Sequence, residues 1–454
     1  MDNYFTLLSL IISFLFASTY TLFFFIFHTP KNHQTLLPPG PPSYPIIGNI
    51  FQLNTQKLHQ SLTNLSTTYG PIMTIKIGTI TTIVISSPTL AKEALRKHDH
   101  ALATRFVPHA VQALGHHESS VIFLPVSSPR WRTLRKFCAT KIFSPHKIIR
   151  AEKVMEKMLG FVRECGFKGE AIDVGEAAFT TVLNALSNAF FSVDLAGYRS
   201  DCSHEFREVI SCVTLEASKP NVADYLTFLR WFDPQGAMRR MRKYYEKLFR
   251  VFEGIVEERI LQKKVGSELL HNPEKMNKAK EEIQQVFTKH QELIKDSDIS
   301  KLPYLQAIIK ETLRMHPAAP ILVHKSEAEV EISGFRVPKE AQVLINVWAM
   351  GRDPSIWASP DVFLPERFME SSDERDFKGN IDFGFIPFGA GRRVCPGIPL
   401  AFRVIHTMVA LLLHHFDWKL EDGQKPEDMD MREAYGITLY KVQGLRAMAI
   451  PIKE

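Results

Sequence analysis

The chain has 454 residues, of which 45% are hydrophobic and 23% are charged, and its formal net charge is +6. This composition is typical of a globular protein that can bury a large core. A charge this modest, with no basic tract that contains interleaved aromatic residues, argues against nucleic-acid binding. The odd number and scattered spacing of the cysteines argue against a disulfide framework and favour a reducing compartment; these are Cys138, Cys165, Cys202, Cys212 and Cys395.

The N-terminus contains a long uncharged segment, from Tyr4 to Phe27, that is rich in Leu, Ile and Phe. It is long enough to span a bilayer. A cleaved signal peptide is the alternative, but the apolar run is longer than a signal core, and neither a basic segment before it nor a clear cleavage site after it is present. Asp2 precedes the run and Lys31 follows it. We therefore expect residues 1–30 to be a single-pass membrane anchor, with the rest of the chain in the cytosol.

A proline-rich stretch follows the anchor and reads Leu37-Pro-Pro-Gly-Pro-Pro-Ser-Tyr-Pro45. Proline lacks an amide donor and fixes φ, so residues 31–45 are predicted to form a stiff, extended hinge. From Pro71 to Ser87, alternating apolar residues on both sides of Gly78-Thr79 predict a β-hairpin. Pro88 then begins a predicted helix that ends near His98. We expect residues 46–454 to form one domain.

Helical periodicity dominates the chain from there to its C-terminal quarter. Helices are predicted at Glu176–Phe191, Asn272–His290, Tyr304–His316 and Leu400–His415, the last with apolar residues nearly all round. Short strands are predicted at Val330–Val337 and Gln342–Val347. Thr180-Thr181 lies in the first of these helices. No acidic residue stands directly before the two threonines, so they do not form an acid–threonine pair. We therefore interpret them as part of a core-facing helix.

Two pairs of residues have ordinary explanations when spacing alone is considered. Trp131 and Arg135 are four residues apart on a predicted helix, where a surface cation stacked on an indole is the simpler reading. Glu311 and Arg314 are three apart on another helix, where an exposed ion pair contributes only about 0.2–0.5 kcal/mol.

The most informative stretch runs from Phe385 to Pro399 and reads Phe-Ile-Pro-Phe-Gly-Ala-Gly-Arg-Arg-Val-Cys-Pro-Gly-Ile-Pro. A lone cysteine is usually a small buried residue. Here glycines permit a tight loop, while two arginines and the start of the next helix favour a thiolate at Cys395. A thiolate held in such a loop suits an axial ligand of haem iron.

This stretch resembles a known family. Phe388-x-x-Gly391-x-Arg393-x-Cys395-x-Gly397 is similar to the haem-binding signature of the cytochrome P450 monooxygenases, and the spacing matches throughout. The resemblance implies a mainly α fold with a small β-rich N-terminal portion. It also implies haem, whose iron takes Cys395 as its axial ligand, together with electrons from NADPH supplied through a cytochrome P450 reductase.

The same resemblance assigns roles elsewhere in the chain. Its haem-contacting residues are Trp131, Arg135, His324, Phe388, Gly391, Arg393, Cys395 and Gly397, with the first three near the propionates. Its buried structural triad is Glu311, Arg314 and Arg367, the last within Pro365-Glu-Arg-Phe368. Pro317–Val323 is expected to run extended beside the haem, and Tyr435–Leu439 to turn near the substrate. Family members often have proline where this chain has Val323, directly before His324.

One expected part is missing from the sequence. Family members carry a long apolar helix over the distal face of the haem, with an Ala/Gly-Gly-x-Asp/Glu-Thr-Thr motif that supplies protons for oxygen activation. No such motif occurs in this chain, so we assign no catalytic residue. A charged helix ends near Lys264, and Glu268-Leu269-Leu270 resembles the tail of the missing helix. We predict a P450 fold that lacks its central distal helix, with the gap near 264–268.

Two functional interpretations follow. Asn221–Met241 resembles the plant subgroup that contains geraniol hydroxylases, which implies a membrane-bound enzyme that hydroxylates a small apolar substrate such as a monoterpenoid. Its location would be the endoplasmic reticulum membrane. The alternative is an impaired or inactive remnant or splice form. Basic residues near the cysteine side, including Lys136 and Arg392, are expected to meet an acidic reductase surface.

Overall fold

The computed structural model describes Ser18, Phe377 and the segments 36–143, 151–191, 194–199, 201–249, 268–287, 296–369, 383–436 and 438–452. The predicted anchor, the first part of the hinge (31–35) and the junction around 264–267 therefore lie outside the described residues, apart from Ser18. In the described segments, helices alternate with short strands, and the strands assemble into small sheets.

The helices within these segments are α1 Leu58–Tyr69, α2 Pro88–Lys92, α3 Asp99–Leu102, α4 Pro129–Phe137, α5 Ala151–Lys168, α6 Val174–Phe191, α7 Asp201–Ser218, α8 Val222–Tyr225, α9 Ala237–Phe249, α10 Pro273–Val286, α11 Asp296–Ile299, α12 Pro303–Met315, α13 Val347–Met350 and α14 Ile398–His415. Wider, π-type turns continue α2 over Glu93–Lys97 and α4 over Cys138–Ile142. Proline opens several helices because its missing amide would have no partner in a first turn.

The strands are β1 Ile72–Ile77, β2 Ile80–Ile85, β3 Ile172–Asp173, β4 Ile321–Lys325, β5 Val330–Ile332, β6 Phe335–Val337, β7 Gln342–Asn346, β8 Phe416–Leu420, β9 Glu433–Ala434, β10 Tyr440–Lys441 and β11 Arg446–Pro451. The largest sheet has the order β1-β2-β7-β4. The smaller ones are β3-β11-β8 and the two hairpins β5-β6 and β9-β10.

The predicted N-terminal hairpin is confirmed. β1 and β2 pair antiparallel from Ile72 opposite Ile85 to Ile77 opposite Ile80, and Gly78 takes a φ of 61° at the turn. The sheet also takes strands from the C-terminal half of the chain, since β7 pairs parallel with β2 and antiparallel with β4. Strand β4 carries His324 opposite Val343, which fixes this histidine at the sheet's outer strand.

The main core lies between helices. It joins α5, α6, α12 and α14 through buried apolar side chains that include Met155, Phe179, Ile308 and Leu411. Among the residues that the structure describes, α14 is the one helix long and apolar enough to cross a membrane, but 72% of its residues are buried inside the protein. We therefore interpret α14 as a core helix, and its N-terminus lies directly after the cysteine loop.

The predicted core-facing helix at 176–191 is also confirmed. Thr180 and Thr181 are 1% and 0% exposed within α6, and the Thr181 hydroxyl donates a hydrogen bond to the Ala177 carbonyl at 2.7 Å. The predicted helices at 304–316 and 400–415 are present with their bounds displaced by one or two residues. The predicted strand over 330–337 is a hairpin of two short strands, because Ser333 and Gly334 take positive φ at its centre.

Candidate functional site

The cysteine loop folds back on itself before α14. The amide of Cys395 donates to the Phe388 carbonyl at 3.0 Å, and Gly389 and Gly391 take φ values of 73° and 66° between them. A Cβ on Gly391 would lie 2.5 Å from the Leu95 carbonyl oxygen and 3.0 Å from an oxygen of Asp99. Only glycine fits here, because both the backbone conformation and the close approach of the neighbouring segment exclude a side chain.

The sulfur of Cys395 lies in a mixed apolar and cationic surrounding. A Cβ on Gly397 would lie 3.6 Å from Sγ and 3.6 Å from the Phe143 ring, so glycine leaves open the space between them. Burial lowers the pKa of the Arg135 guanidinium, and the nearby sulfur atoms of Cys138 and Cys395 oppose that shift. A cation and a helix N-terminus close to a half-buried sulfur are the features that favour a thiolate.

Arg393 is hydrogen-bonded to a set of backbone carbonyls. Its guanidinium donates to the carbonyls of Ala103 at 2.7 Å, Val121 at 3.0 Å and Ile122 at 3.2 Å, and also to that of Leu124. Burial and the charges of Arg105 and Arg135 together lower its pKa to about 10, against the opposing effect of Glu327.

Trp131 lies beside these arginines on α4. Its ring is 8% exposed, so it is not the surface residue that spacing alone favours. The guanidinium carbons of Arg135 and Arg393 lie 5.7 Å and 5.0 Å from a Trp131 ring centroid. The indole N–H donates to the Val121 carbonyl at 3.1 Å. The predicted pair of Trp131 and Arg135 is thus stacked, but inside a cationic cluster rather than on an open surface.

His324 is 2% exposed, and its Nδ1 lies 2.7 Å from the Leu102 carbonyl. Burial lowers its pKa to about 3, helped by Arg105 and Arg393. The ring is therefore neutral at ordinary pH, and since a carbonyl only accepts, Nδ1 carries the proton. In this tautomer Nε2 is a hydrogen-bond acceptor, and the contact between His324 and a haem propionate stays a prediction.

Arg105 is a site residue that the sequence analysis missed. Its guanidinium donates to the Val323 carbonyl at 3.0 Å, and it acts electrostatically on both His324 and Arg393. It belongs to no short motif, and it reaches the cluster through a loop that joins α3 to later elements. The signal available in the sequence was a single arginine in an uncharged stretch, Ala103-Thr-Arg-Phe-Val107.

These residues fit a haem group. A half-buried cysteine sulfur lies at the start of a helix, and three guanidinium groups gather nearby: those of Arg105, Arg135 and Arg393. Because Arg105 and Arg135 lower the pKa of Arg393, the cluster favours an anionic ligand, and guanidinium suits carboxylates in particular. Haem presents an iron for the sulfur and two carboxylates for such a cluster.

The structure brings together the three residues of the expected triad. Arg314 donates to both oxygens of Glu311, from Nε at 2.7 Å and from an Nη at 2.8 Å, and Arg367 Nε donates to the same carboxylate at 3.1 Å. Glu311 is 0% exposed, so this is not the exposed ion pair that spacing alone favours. The arginines also bind the carbonyls of Gly351 and Ala358, at 2.6 and 2.7 Å, which lie near the segment before the cysteine loop. Removing one partner would strand a buried charge, at a cost of about 3–5 kcal/mol.

Comparisons with known proteins agree with these observations. The sequence model of the family described as cytochrome P450 matches residues 38–264 and 267–444. Geraniol 8-hydroxylase from Swertia mussotii is 42% identical over 99% of this chain and 100% of its own length. Geraniol 8-hydroxylase from Catharanthus roseus is 42% identical over 97% and 99%, and cytochrome P450 76T24 from the same plant is 42% identical over 98% and 99%.

The same comparisons bear on the predicted gap. The family match breaks between residues 264 and 267, at the junction where the oxygen-activating motif is missing. The alignment with the Swertia enzyme spans 504 positions, whereas this chain has 454 residues, so at least 50 positions of that alignment have no counterpart here. Members of the family hold haem on a cysteine thiolate, and a reductase supplies electrons from NADPH. By the family match and these relatives, the chain belongs to the cytochrome P450 family of monooxygenases.

Proposed function

We propose that this chain binds haem through Cys395 and acts as a membrane-bound monooxygenase on a small apolar substrate of the monoterpenoid type. The observation that carries this proposal is the geometry of the cysteine loop. The Cys395 amide donates a hydrogen bond to the Phe388 carbonyl, Gly397 leaves open space beside the sulfur, and the Arg135 guanidinium lies near it. Two relatives that cover nearly the whole chain are named as geraniol 8-hydroxylases, which supports the substrate class.

Bound haem supplies oxidation of a C–H bond with O2 and two electrons. The chain's own residues would hold and orient the group: Cys395 would bind the iron, and Arg105, Arg135 and Arg393 would bind the carboxylates. Phe143 and Phe388 are partly buried apolar side chains at the cysteine loop. Neutral His324 keeps β4 against Leu102 and so orients the segment that we expect to line the substrate pocket.

The electron donor that we propose is the NADPH-dependent reductase of the family, docked on the cysteine side. Lys136 on α4 is exposed, as are Arg130 and Arg132, whereas Arg392 forms an ion pair with Asp99 at 2.9 Å. Lys136 is therefore the better probe. Charge reversal at Lys136 should slow electron transfer from reductase, with a smaller effect when ionic strength is high. An unchanged rate at low salt would reject this docking face.

The membrane location rests on residues 1–30 and on a second feature near the hinge. Large apolar side chains are exposed on adjoining parts of the chain, at Ile46 and Phe51 and at Phe228, Trp231 and Phe232, with Trp231 93% exposed. Tyr225 connects the two parts, because its carbonyl accepts from the Thr79 amide and Ile47 accepts from Gly78. Removal of residues 1–30 should weaken membrane association without abolishing it. If the truncated chain is released completely into the soluble fraction, the exposed apolar side chains do not hold it on the membrane and the attachment depends on residues 1–30.

The second candidate function is a haem-binding protein that is impaired in catalysis. It is favoured by the break in the family match between residues 264 and 267 and by the absence of an acid–threonine pair. Without that pair, we expect ordered proton delivery to be lost and the consumption of NADPH to be uncoupled from product formation. Sequencing the transcript across Lys264–Glu268 would establish whether the gap is present in the message.

One experiment separates the possibilities. The reduced, CO-bound spectrum of the full-length chain should have the Soret band typical of thiolate ligation, and Cys395→Ser should lose it. Cys138→Ser is the matched control, because Cys138 is also half-buried beside Arg135. A native spectrum with geraniol hydroxylation supports the enzyme; a native spectrum without product supports the impaired form. An unaltered spectrum in Cys395→Ser would overturn the haem assignment.

A further inference from the structure

A buried histidine joins three parts of the chain that are far apart in sequence. His316 directly follows α12, and its Nε2 lies 2.5 Å from a carboxylate oxygen of Glu268. Its Nδ1 lies 3.0 Å from a carboxylate oxygen of Glu433, on β9. All three side chains are largely buried, with exposed fractions of 12% for His316, 5% for Glu268 and 16% for Glu433. The carboxylates thus occupy both polar ends of one imidazole ring.

The protonation of the ring decides whether both contacts hold. A carboxylate only accepts, so each contact needs an N–H from the ring, and a neutral imidazole has just one. Only the imidazolium form can donate to Glu268 and Glu433 together. If the ring is neutral, one carboxylate faces a nitrogen lone pair in a buried site, which is repulsive.

Other charged and polar groups lie close to this cluster. Arg352, which follows α13, interacts electrostatically with both Glu433 and Glu268, and burial lowers its pKa to about 10. Its guanidinium lies 4.0 Å from the Trp348 ring centroid and 3.5 Å from an oxygen of Asp361. Asn272 adds a neutral contact, since its amide donates to the Glu268 carbonyl at 2.9 Å. Because Arg352 is shared with Asp361, the imidazolium of His316 is the cation that contacts Glu268 and Glu433 directly.

The position of Glu268 in the chain determines which segments the cluster joins. Glu268 lies in the short helical turn at which the described chain resumes after residues 250–267, beside the break in the family match. Leu269 and Leu270 are buried, and His271 contacts the Pro426 carbonyl at 2.8 Å. On the other side of the ring, β9 leads to Leu439, whose amide donates to the Ala318 carbonyl at 3.1 Å.

We infer that protonated His316 is a pH-sensitive clamp that holds the turn after the gap and the C-terminal β9–β10 hairpin against the end of α12. The clamp closes when the ring is doubly protonated, and it opens as the pH rises and one carboxylate loses its donor. It acts on folding and not on electron transfer, so it does not depend on haem or on turnover. It also fixes the start of the 317–323 segment, because His316 and Ala318 are both tied to the same hairpin.

The direction of the pH dependence follows from the environment of the ring. Burial alone lowers the pKa of His316, but hydrogen bonds and charges from Glu268 and Glu433 outweigh it, so the pKa lies above the ordinary value of 6.5. A group with a raised pKa in the folded state contributes stability that is fully present below its unfolded pKa. That contribution is lost as the pH rises through the folded pKa. The clamp is therefore strongest in mildly acidic solution.

Thermal unfolding of the full-length chain against pH tests the clamp. His316→Asn should melt about 3–6 °C below the parent at about pH 6, and the difference should shrink by more than half near pH 9. His100→Asn is the control, because His100 is exposed on α3 and its loss should leave no pH-dependent difference. A difference between parent and His316→Asn that stays constant with pH, or no difference at all, would overturn the inference.

Two milder variants keep the test valid if His316→Asn fails to fold. Glu433→Gln and Glu268→Gln each retain an oxygen that accepts from the ring while removing one negative charge. Each should lower the melting temperature in mildly acidic solution and flatten its dependence on pH. If both glutamine variants follow the same pH profile as the parent, the carboxylates do not hold the ring protonated and the clamp does not exist.

Discussion

Gly391 shows how one residue fixes the distance between the cysteine loop and the rest of the fold. It combines a φ of 66° with a backbone that approaches the Leu95 carbonyl and the Asp99 carboxylate. That approach is reinforced by Arg392, whose amide donates to Asp99 at 3.2 Å and whose side chain pairs with the same carboxylate. A methyl group at this position would push the loop away from the turn after α2.

Gly391→Ala is therefore expected to reduce both stability and haem uptake. The left-handed conformation alone costs about 1–2 kcal/mol for a non-glycine residue, and the clash with Leu95 adds to this. We expect a fall in the free energy of unfolding of more than about 3 kcal/mol, measured in urea, and a lower ratio of haem to protein.

Gly169→Ala is the matched control for that variant. Gly169 has the same φ of 66°, but a Cβ there would have nothing within 4 Å. Its substitution should show the conformational cost alone, with haem content unchanged. If the two variants lose equal stability, the close approach at Gly391 does not contribute.

The motif residues of the site could be predicted from sequence, while their hydrogen-bond partners could not. Spacing and resemblance identified Arg393, Trp131 and His324, and the fold gathers them near Arg105. Their donors, however, meet the carbonyl of Leu102 at the end of α3 and those of Ala103 and Val121 in irregular segments that follow it. A main-chain carbonyl has the same chemistry at every residue, so sequence carries no signal for which one a side chain will meet.

At the scale of elements, α14 is the clearest case in which composition is ambiguous. An 18-residue helix with this hydropathy fits a membrane span and a core helix equally well. The fold decides in favour of the core, because α10, α12 and α5 pack around it and leave most of its side chains buried. Sequence periodicity could not distinguish the two, since an all-round apolar helix has no polar face in either case.

Burial along α14 predicts a difference between adjacent leucines. Leu411 is 0% exposed, whereas Leu412 is partly exposed. Leu411→Ala should lower the free energy of unfolding by about 2–5 kcal/mol, because a cavity remains where the side chain was. Leu412→Ala should cost about half as much or less, by the smaller apolar area it removes from burial. Urea unfolding of both variants makes the comparison, and equal losses would contradict a core role for the buried face.

The sheet shows the same division between local and distant information. The turn at Gly78 and the apolar alternation around it were enough to predict β1 and β2 as a hairpin, and the structure supplies their register. Their neighbour β7 was predicted as a strand, but its parallel pairing with β2 joins Thr82 to Gln342 across 260 residues. No local pattern specifies that partner, because pairing between distant strands depends on how the intervening helices fold.

At the scale of the whole molecule, the chain combines a well-formed cysteine side with a sequence that lacks the oxygen-activating motif. The triad is buried, and Phe385, at the start of the cysteine loop, belongs to the same core as the buried face of α14. A buried helix contributes about 25 cal/mol for each Å² of apolar surface that it removes from water. Net stability is only about 5–15 kcal/mol, so losing one central helix can use up most of the margin.

Restoring the helix tests this view of the molecule. Replacing Val265-Gly266-Ser267 with the corresponding distal segment of a geraniol 8-hydroxylase should raise the free energy of unfolding by several kcal/mol, about the amount expected for a buried amphipathic helix. It should also raise the fraction of NADPH that yields hydroxylated geraniol, because the inserted acid–threonine pair delivers protons in order.

A second insert separates the two effects. The same segment with its acid changed to the matching amide and its threonines changed to valine should restore stability but leave coupling low, since packing depends on the shape of the helix and proton delivery on its polar groups. If this inert insert restores turnover, the missing pair is not what limits the chain. If neither insert raises stability, the missing segment is not what limits the stability of this chain.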